Sequence, residues 1–242
     1  AARIAAEVEP GSTLQIGIGG MPNAVCSLLV ESGVGGLRIH TEMLTDGILE
    51  LYRAGRLRTP AVYTFALGSQ ALYDAIHQNA DFQCLDVERT NLPVNIMRNE
   101  KMVSINNTTQ IDLQGQAASE SDGHRHLTGT GGQLQFVRGA YASKNGKSFM
   151  LLSSTYEKKG QRKSRIVLNQ TPGNIITTPR SDTMYVVTEY GITNLKGKSV
   201  EERARALIGL AHPDFREGLE RQAYENGLIP KNIAPVYRNA AE

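Results

Sequence analysis

The chain opens on a repeating cycle of apolar run, glycine break and helical periodicity, and this alternation limits the possible folds more than any other feature. Thr13 to Ile18 reads as a strand, Gly19-Gly20-Met21-Pro22 follows, and Asn23 to Glu31 then places Val25, Leu28 and Leu29 at helical spacing. After Gly35-Gly36 comes a short strand, Leu37 to His40, and then a helix, Asp46 to Tyr52, with Ile48, Leu49 and Leu51 as its apolar positions. Ala61 to Leu67 is strand-like, and Ser69 is placed to cap a helix over Ala71 to His77. Strands separated by helices are joined by crossovers, which lay them side by side in parallel. The expected class is therefore α/β, an open and mostly parallel sheet covered by helices on both faces.

The middle of the chain departs from that rhythm. Val103 to Ile105, Ile111 to Leu113 and Phe149 to Leu152 are short strand-like runs between polar, glycine-rich loops, which predicts a mixed or antiparallel portion of the same sheet. Arg165 to Leu168 and Met184 to Val187 are further strands, and the basic run Lys158 to Arg165 reads as a solvated loop. Ser199-Val200-Glu201-Glu202 has the pattern of a capping box, with Val200, Ala204, Leu207, Ile208 and Ala211 on one helical face. Pro213 is expected to stop that helix, and Phe215 to Tyr224 forms another, ended by Gly227. A first helix is expected over Ala1 to Val8. The whole is read as a single domain over 1–242, with βα units in 1–100, the mixed portion in 101–198, and helices and a tail in 199–242.

With 40% hydrophobic and 21% charged residues the chain has the composition of a folded domain. A net charge of +2, dispersed except at Lys158, Lys159, Arg162, Lys163 and Arg165, does not make a nucleic-acid surface. No apolar stretch approaches the ~18 residues of a membrane span. Cys26 and Cys84 lack metal-site or redox spacing, so two buried thiols in a reducing cytoplasm are expected. No metal is expected either: His124 and His126 flank Arg125, and no carboxylate or Cys falls at zinc-like spacing.

Four segments are candidates for chemistry. Gly17-Ile18-Gly19-Gly20-Met21 follows a strand and opens a helix, so its amides are open to an anion or oxyanion; an ordinary tight turn accounts for the same residues. It is neither the dinucleotide fingerprint nor a P-loop. Glu42, in His40-Thr41-Glu42-Met43, leaves the sheet at a strand end, where α/β folds bind ligands; a surface glutamate is the plainer reading, and His40 packs locally. Gly129-Thr130-Gly131-Gly132 exposes a second stretch of backbone. Glu189 is another strand-end carboxylate, Glu120 is a third, and the spacing does not rank the three.

Taken together, Gly11 to Val25, His40 to Gly47, Ile111 to Gln116, Gly129 to Gln133 with Phe136 to Ala140, and Val187 to Gly191 with Leu195 to Ser199 resemble the acetyl-CoA hydrolase/transferase family. The resemblance is to its C-terminal catalytic half, nearest the 4-hydroxybutyrate CoA-transferase branch, and runs in order from residue 1 to 216. It implies a CoA-transferase-like domain that moves CoA between a short-chain acyl-CoA and a carboxylate such as acetate, butyrate or 4-hydroxybutyrate, with no permanently bound cofactor. It further implies Glu42 as the nucleophile, which forms an acyl anhydride and then a glutamyl-CoA thioester. Glu189 and Asn91 would assist, with CoA against Gly17, Ile18, Gly19, Gly20 and Met21 and against Gly129, Gly131 and Gly132. Acyl-CoA hydrolysis and non-catalytic CoA binding are the alternative activities. The family carries a further N-terminal domain of similar size, expected here as a separate subunit or as the rest of a longer chain, in a cytoplasmic homo-oligomer.

Overall fold

A computed structural model describes residues 1–230, so the expected tail at 231–242 lies outside the described residues. The chain forms two compact units, Ala1–Asn107 with Gly131–Leu151, and Thr108–Thr130 with Leu152–Glu242.

The first unit is built on a parallel sheet. Its strands lie in the order Lys147–Leu151, Met102–Asn107, Thr13–Ile16, Arg38–Ile39. Thr13 pairs with both Met102 and Arg38, and Lys147 with Val103. This register aligns Leu14, Ile16, Val103, Ile105, Phe149 and Leu151 on one face, all buried. The other face is also buried but polar in part. There Gln15 joins Ser104 and Asn106, with Ser104 Oγ donating to Gln15 Oε1 at 2.6 Å and Asn106 Nδ2 donating to Ser104 Oγ at 2.8 Å. A sheet closed to water on both faces tolerates such side chains only when they satisfy one another.

Helix Gly20–Ser32 crosses between the first two parallel strands and starts three residues earlier than the apolar spacing indicates, with Pro22 in its first turn. Helix Asp46–Arg53 packs on it closely: a Cβ on Gly47 would stand 3.0 Å from Cys26 Sγ. Cys26 is fully buried and burial pushes its thiol up to about 12, which makes it inert. Cys84 is exposed, against expectation, because it closes a short strand, Phe82–Cys84, whose last two residues face solvent. The run Ala61 to Leu67 divides into two strands, Ala61–Tyr63 and Phe65–Ala66, which pair with different partners. Ser69 caps helix Gln70–Ile76 by accepting from Leu72 N, as its position indicates, whereas the opening helix is shorter than expected, Ala2–Ala5.

Met102–Asn107 and Lys147–Leu151 are parallel members of the sheet rather than a mixed portion, and helix Gln133–Ala142 lies between them in sequence. Phe136 and Ala140 of that helix meet Ile96 and Met102 in the core. Gly139 on the same helix sits against Ile96, whose Cβ and Cγ2 occupy the space an added Cβ would need. Gly139→Ala is therefore expected to destabilise by about 1–3 kcal/mol through overpacking, despite the better helix propensity of alanine. Gly218→Ala, in helix Pro213–Glu225 with open space at its Cβ, should instead stabilise by about 0.5–1 kcal/mol. Urea midpoints of the two variants, moving in opposite directions, check this.

The second unit carries the antiparallel pairings, the mixed portion expected in 101–198. Gln110–Asp112 runs antiparallel to Ala117–Ala118 and parallel to Ile166–Val167, and Tyr185–Thr188 folds back on Gly191–Asn194. The basic run is not a loop: Thr155–Lys158 and Gln161–Ser164 form a hairpin that turns at Lys159 and Gly160, both at positive φ. Alternating polar residues with no buried partner gave it no apolar signature. Ser199 and Glu202 make the expected capping box for helix Val200–Leu210, with Ala204, Leu207, Ile208 and Ala211 buried and Val200 exposed at the first turn. Pro213 opens the following helix as its first residue. No helix among the described residues is long and apolar enough to cross a membrane.

Candidate active site

Glu42 stands in the link between strands Arg38–Ile39 and Met43–Leu44, half-buried, with its backbone carbonyl accepting from Thr64 N at 3.0 Å and Phe65 N at 3.1 Å. Thr41, fully buried, donates through Oγ1 to Met43 O at 3.0 Å and fixes the turn. The carboxylate is thereby aimed at the start of helix Gln133–Ala142. Gly132 N donates to Glu42 Oε2 at 2.9 Å, and among the described residues Oε1 has no hydrogen bond. A Cβ on Gly132 would collide with Glu42 Oε2 and stand 2.6 Å from Asn91 Nδ2, so Glu42, Asn91 and Gly132 converge on one point.

Asn91 is 2% exposed and held on both ends: Nδ2 donates to Gln135 Oε1 at 3.1 Å, and Oδ1 accepts from Thr90 Oγ1 at 2.9 Å. Thr90 in turn meets Thr64 through their hydroxyls. His40 Nε2 lies 2.8 Å from Thr90 O, the local packing role read for it. Burial holds the His40 ring below its ordinary range, against the opposing effect of the Thr90 carbonyl. A depressed folded value means that the unfolded chain takes up the proton first as the pH falls. The associated stability is present above about 6.5 and is lost as the pH drops through the folded value. His40→Gln, which keeps a donor toward Thr90, should flatten that acid-side loss in urea titrations at a series of pH values.

The first glycine loop is shaped by the end of strand Met102–Asn107. Gly17 N donates to Ile105 O at 2.8 Å, and Asn107 Nδ2 donates to Ile18 O at 2.8 Å. Gly19 adopts φ 125°, and an added Cβ there would stand 2.6 Å from Asn107 Nδ2. Gly20 and Met21 follow as the first two residues of the 13-residue helix, where amides face outward and the dipole favours an anion. Ile18 is 61% exposed. Asn107 was not among the residues singled out from sequence; its signal is the polar Asn106-Asn107 pair ending an apolar strand. Gln133 donates through Nε2 to Asn107 O at 2.9 Å, which ties the start of helix Gln133–Ala142 to the end of that strand.

Of the second loop, only Gly132 needs to be glycine on steric grounds, since Gly129 and Gly131 have open space at the Cβ position. The chain crosses between units at Thr130 and Gly131.

Glu189 belongs to the second unit, at the turn between Tyr185–Thr188 and Gly191–Asn194, and is exposed. Its carboxylate accepts from Ser154 N at 2.9 Å and from Ser154 Oγ. Burial would raise this carboxyl, but the Ser154 side chain, its own amide, the Ser154 amide and the His212 charge outweigh that and hold it below the ordinary range. Glu120 is engaged by Thr177 Oγ1 at 2.7 Å. His124 packs against Gly173, and no group of three or more His, Cys, Asp or Glu among the described residues is arranged to hold a metal ion.

Comparison with known proteins gives concordant results. Residues 68–223 match the family model of the acetyl-CoA hydrolase/transferase C-terminal domain. A probable butyrate:acetyl-CoA coenzyme A-transferase of Syntrophomonas wolfei is 46% identical over 230 residues, covering 92% of this chain and 52% of that protein. A 4-hydroxybutyrate coenzyme A transferase of Clostridium kluyveri is 44% identical, covering 88% and 50%. The crystal structure of RipA from Yersinia pestis superposes with a TM-score of 0.86 at 43% identity, covering 94% of this chain and 52% of that one. These identities are too close together to single out the 4-hydroxybutyrate branch. The chain spans about half the length of the curated relatives it matches. By the extent of that family match, the chain belongs to the acetyl-CoA hydrolase/transferase family, in its C-terminal domain.

Proposed function

We propose that the protein containing this chain is a CoA-transferase that moves CoA between a short-chain acyl-CoA and a carboxylate of the acetate, butyrate or 4-hydroxybutyrate type. The observation that carries this reading is the Glu42 carboxylate, tethered through Oε2 to the Gly132 amide and left open at Oε1 beside Asn91. Oε1 attacks the thioester carbonyl, expelling CoA thiolate and leaving an acyl-glutamyl anhydride. The thiolate then attacks the glutamyl carbonyl, releasing the first carboxylate and forming a glutamyl-CoA thioester, and the acceptor carboxylate runs the sequence backwards.

Gly132 N–H and the Asn91 amide donate to the developing charge, a role suited to groups fixed by buried hydrogen bonds before reaction. The amides from Gly17 to Met21, pinned by Asn107, and the backbone of Gly129, Gly131 and Gly132 lie along the CoA arm. Glu189, held ionised by Ser154, orients a water or the acceptor. The portion of the relatives' length outside this chain supplies the rest of the acyl pocket, and the assembly is a cytoplasmic homo-oligomer.

The test is an exchange assay on the protein containing this chain. Consumption of butyryl-CoA is expected to require added acetate and to yield acetyl-CoA without free thiol. Thiol release at the same rate with no acceptor would instead assign acyl-CoA hydrolysis.

A further inference from the structure

At the amino-terminal end of the parallel sheet in the first unit, away from the glycine loop, lies a cavity of about 290 Å³. Thr13 and Arg38, the paired first residues of their strands, form one wall, and Arg58 and His40 line it further. No acidic side chain lines it. Among the described residues neither the Arg38 nor the Arg58 guanidinium has an ion pair or hydrogen bond, and Thr13, 2% exposed, has no hydrogen bond on its hydroxyl.

Several other cations of this unit are matched. Lys101 pairs with Glu9 at 2.9 Å, Lys147 with Glu7 at 2.9 Å, and Arg56 donates to the carbonyls of Gly33 and Val30. Two unmatched guanidiniums lining one concavity raise a local positive potential that a counter-ion relieves. Each offers a planar fork of donors, the geometry that recognises tetrahedral phosphate oxygens, and a dianion balances both charges where a carboxylate balances one. The volume is near the lower end of small-ligand pockets, enough for a phosphate with a short carbon chain.

We propose that this cavity binds a phosphate group, free or carried by a small phosphomonoester, at a site separate from the one built on Glu42. Arg38 and Arg58 hold the phosphate oxygens, and the Thr13 hydroxyl adds a neutral donor. The proposal does not depend on the transferase reading, because its readout is binding.

The test is calorimetric and thermal-shift titration of the whole protein with inorganic phosphate and with glycerol 3-phosphate, against chloride at matched ionic strength. Saturable binding of either phosphate, not of chloride, is expected, weakened about tenfold or more in Arg38→Gln and in Arg58→Gln, the scale of one lost charge-assisted interaction. Both residues are exposed, and unchanged urea midpoints verify that the variants fold. A larger affinity for the phosphomonoester would identify it as the natural source of the group. Absence of saturable binding, or binding unchanged in both variants, would overturn the proposal. Displacement of phosphate by CoA, but not by dephospho-CoA, would also overturn it by making the cavity part of the acyl-CoA site.

Discussion

Glu42→Gln in the protein containing this chain is expected to lower CoA transfer by roughly 10³-fold or more, with the unfolding free energy changed by no more than about 0.5 kcal/mol. The two parts of that expectation have separate causes. A glutamine retains a carbonyl oxygen that can accept from Gly132 N, so the 2.9 Å contact and the local fold survive. It has no carboxylate to form an anhydride, so the covalent route is closed and only positioning and charge stabilisation remain. Stopped assays of acyl exchange and urea unfolding of the same preparation measure the two independently. Activity within tenfold of the parent would remove Glu42 from the reaction.

The second large effect is expected at Gly132. An alanine there drives its Cβ into Glu42 Oε2 and to 2.6 Å from Asn91 Nδ2, so carboxylate and amide must both move. Displacement of a nucleophile by about 1 Å costs on the order of 10²-fold in rate, and disturbing the Gly132 donor adds to it. Gly132→Ala should therefore lower kcat by about 10²–10³-fold, with a smaller change in KM, because ground-state contacts along the CoA arm are spread over two loops. Steady-state kinetics with butyryl-CoA and acetate distinguishes this from a general loss of binding, which would raise KM alone.

Much of this arrangement is legible in the sequence where the cause is local. Ser69 and Ser199 cap their helices because a short hydroxyl at that offset meets the free amides three residues on. The order of first strand, glycine loop and helix follows from spacing, although the strand ends at Ile16 and the helix starts at Gly20, and a strand-end carboxylate at Glu42 is readable before any geometry. What escapes is long-range or masked. Helix Gln133–Ala142 is hidden by glycines before it and by Gly139 within it, which is tolerated because Ile96 fills the space. The hairpin at Lys158 to Arg165 owes its form to a positive-φ turn and cross-strand pairing rather than to an apolar face.

The support around the candidate site is the least legible part. Asn91 depends on Gln135, 44 residues away, and His40 meets Thr90 across 50. The Asn107 side chain reaches the Ile18 carbonyl 89 residues before it. No periodicity carries such pairings, because they arise only after parallel strands distant in sequence are laid side by side. The buried row of Gln15, Ser104 and Asn106 is of the same kind: three polar residues that read as interruptions of apolar strands become mutual partners once the register is set.

The central claim is that Glu42 becomes covalently bonded to CoA. Its most direct test is intact-protein mass spectrometry after incubation with acetyl-CoA or butyryl-CoA, with part of each sample treated with borohydride and mapped by peptide. The account predicts a CoA adduct on the peptide containing Glu42, converted by borohydride to the corresponding alcohol at that residue and absent from Glu42→Gln. A protein that exchanges acyl groups at full rate while carrying no adduct at Glu42, or carrying it on another carboxylate, would contradict it.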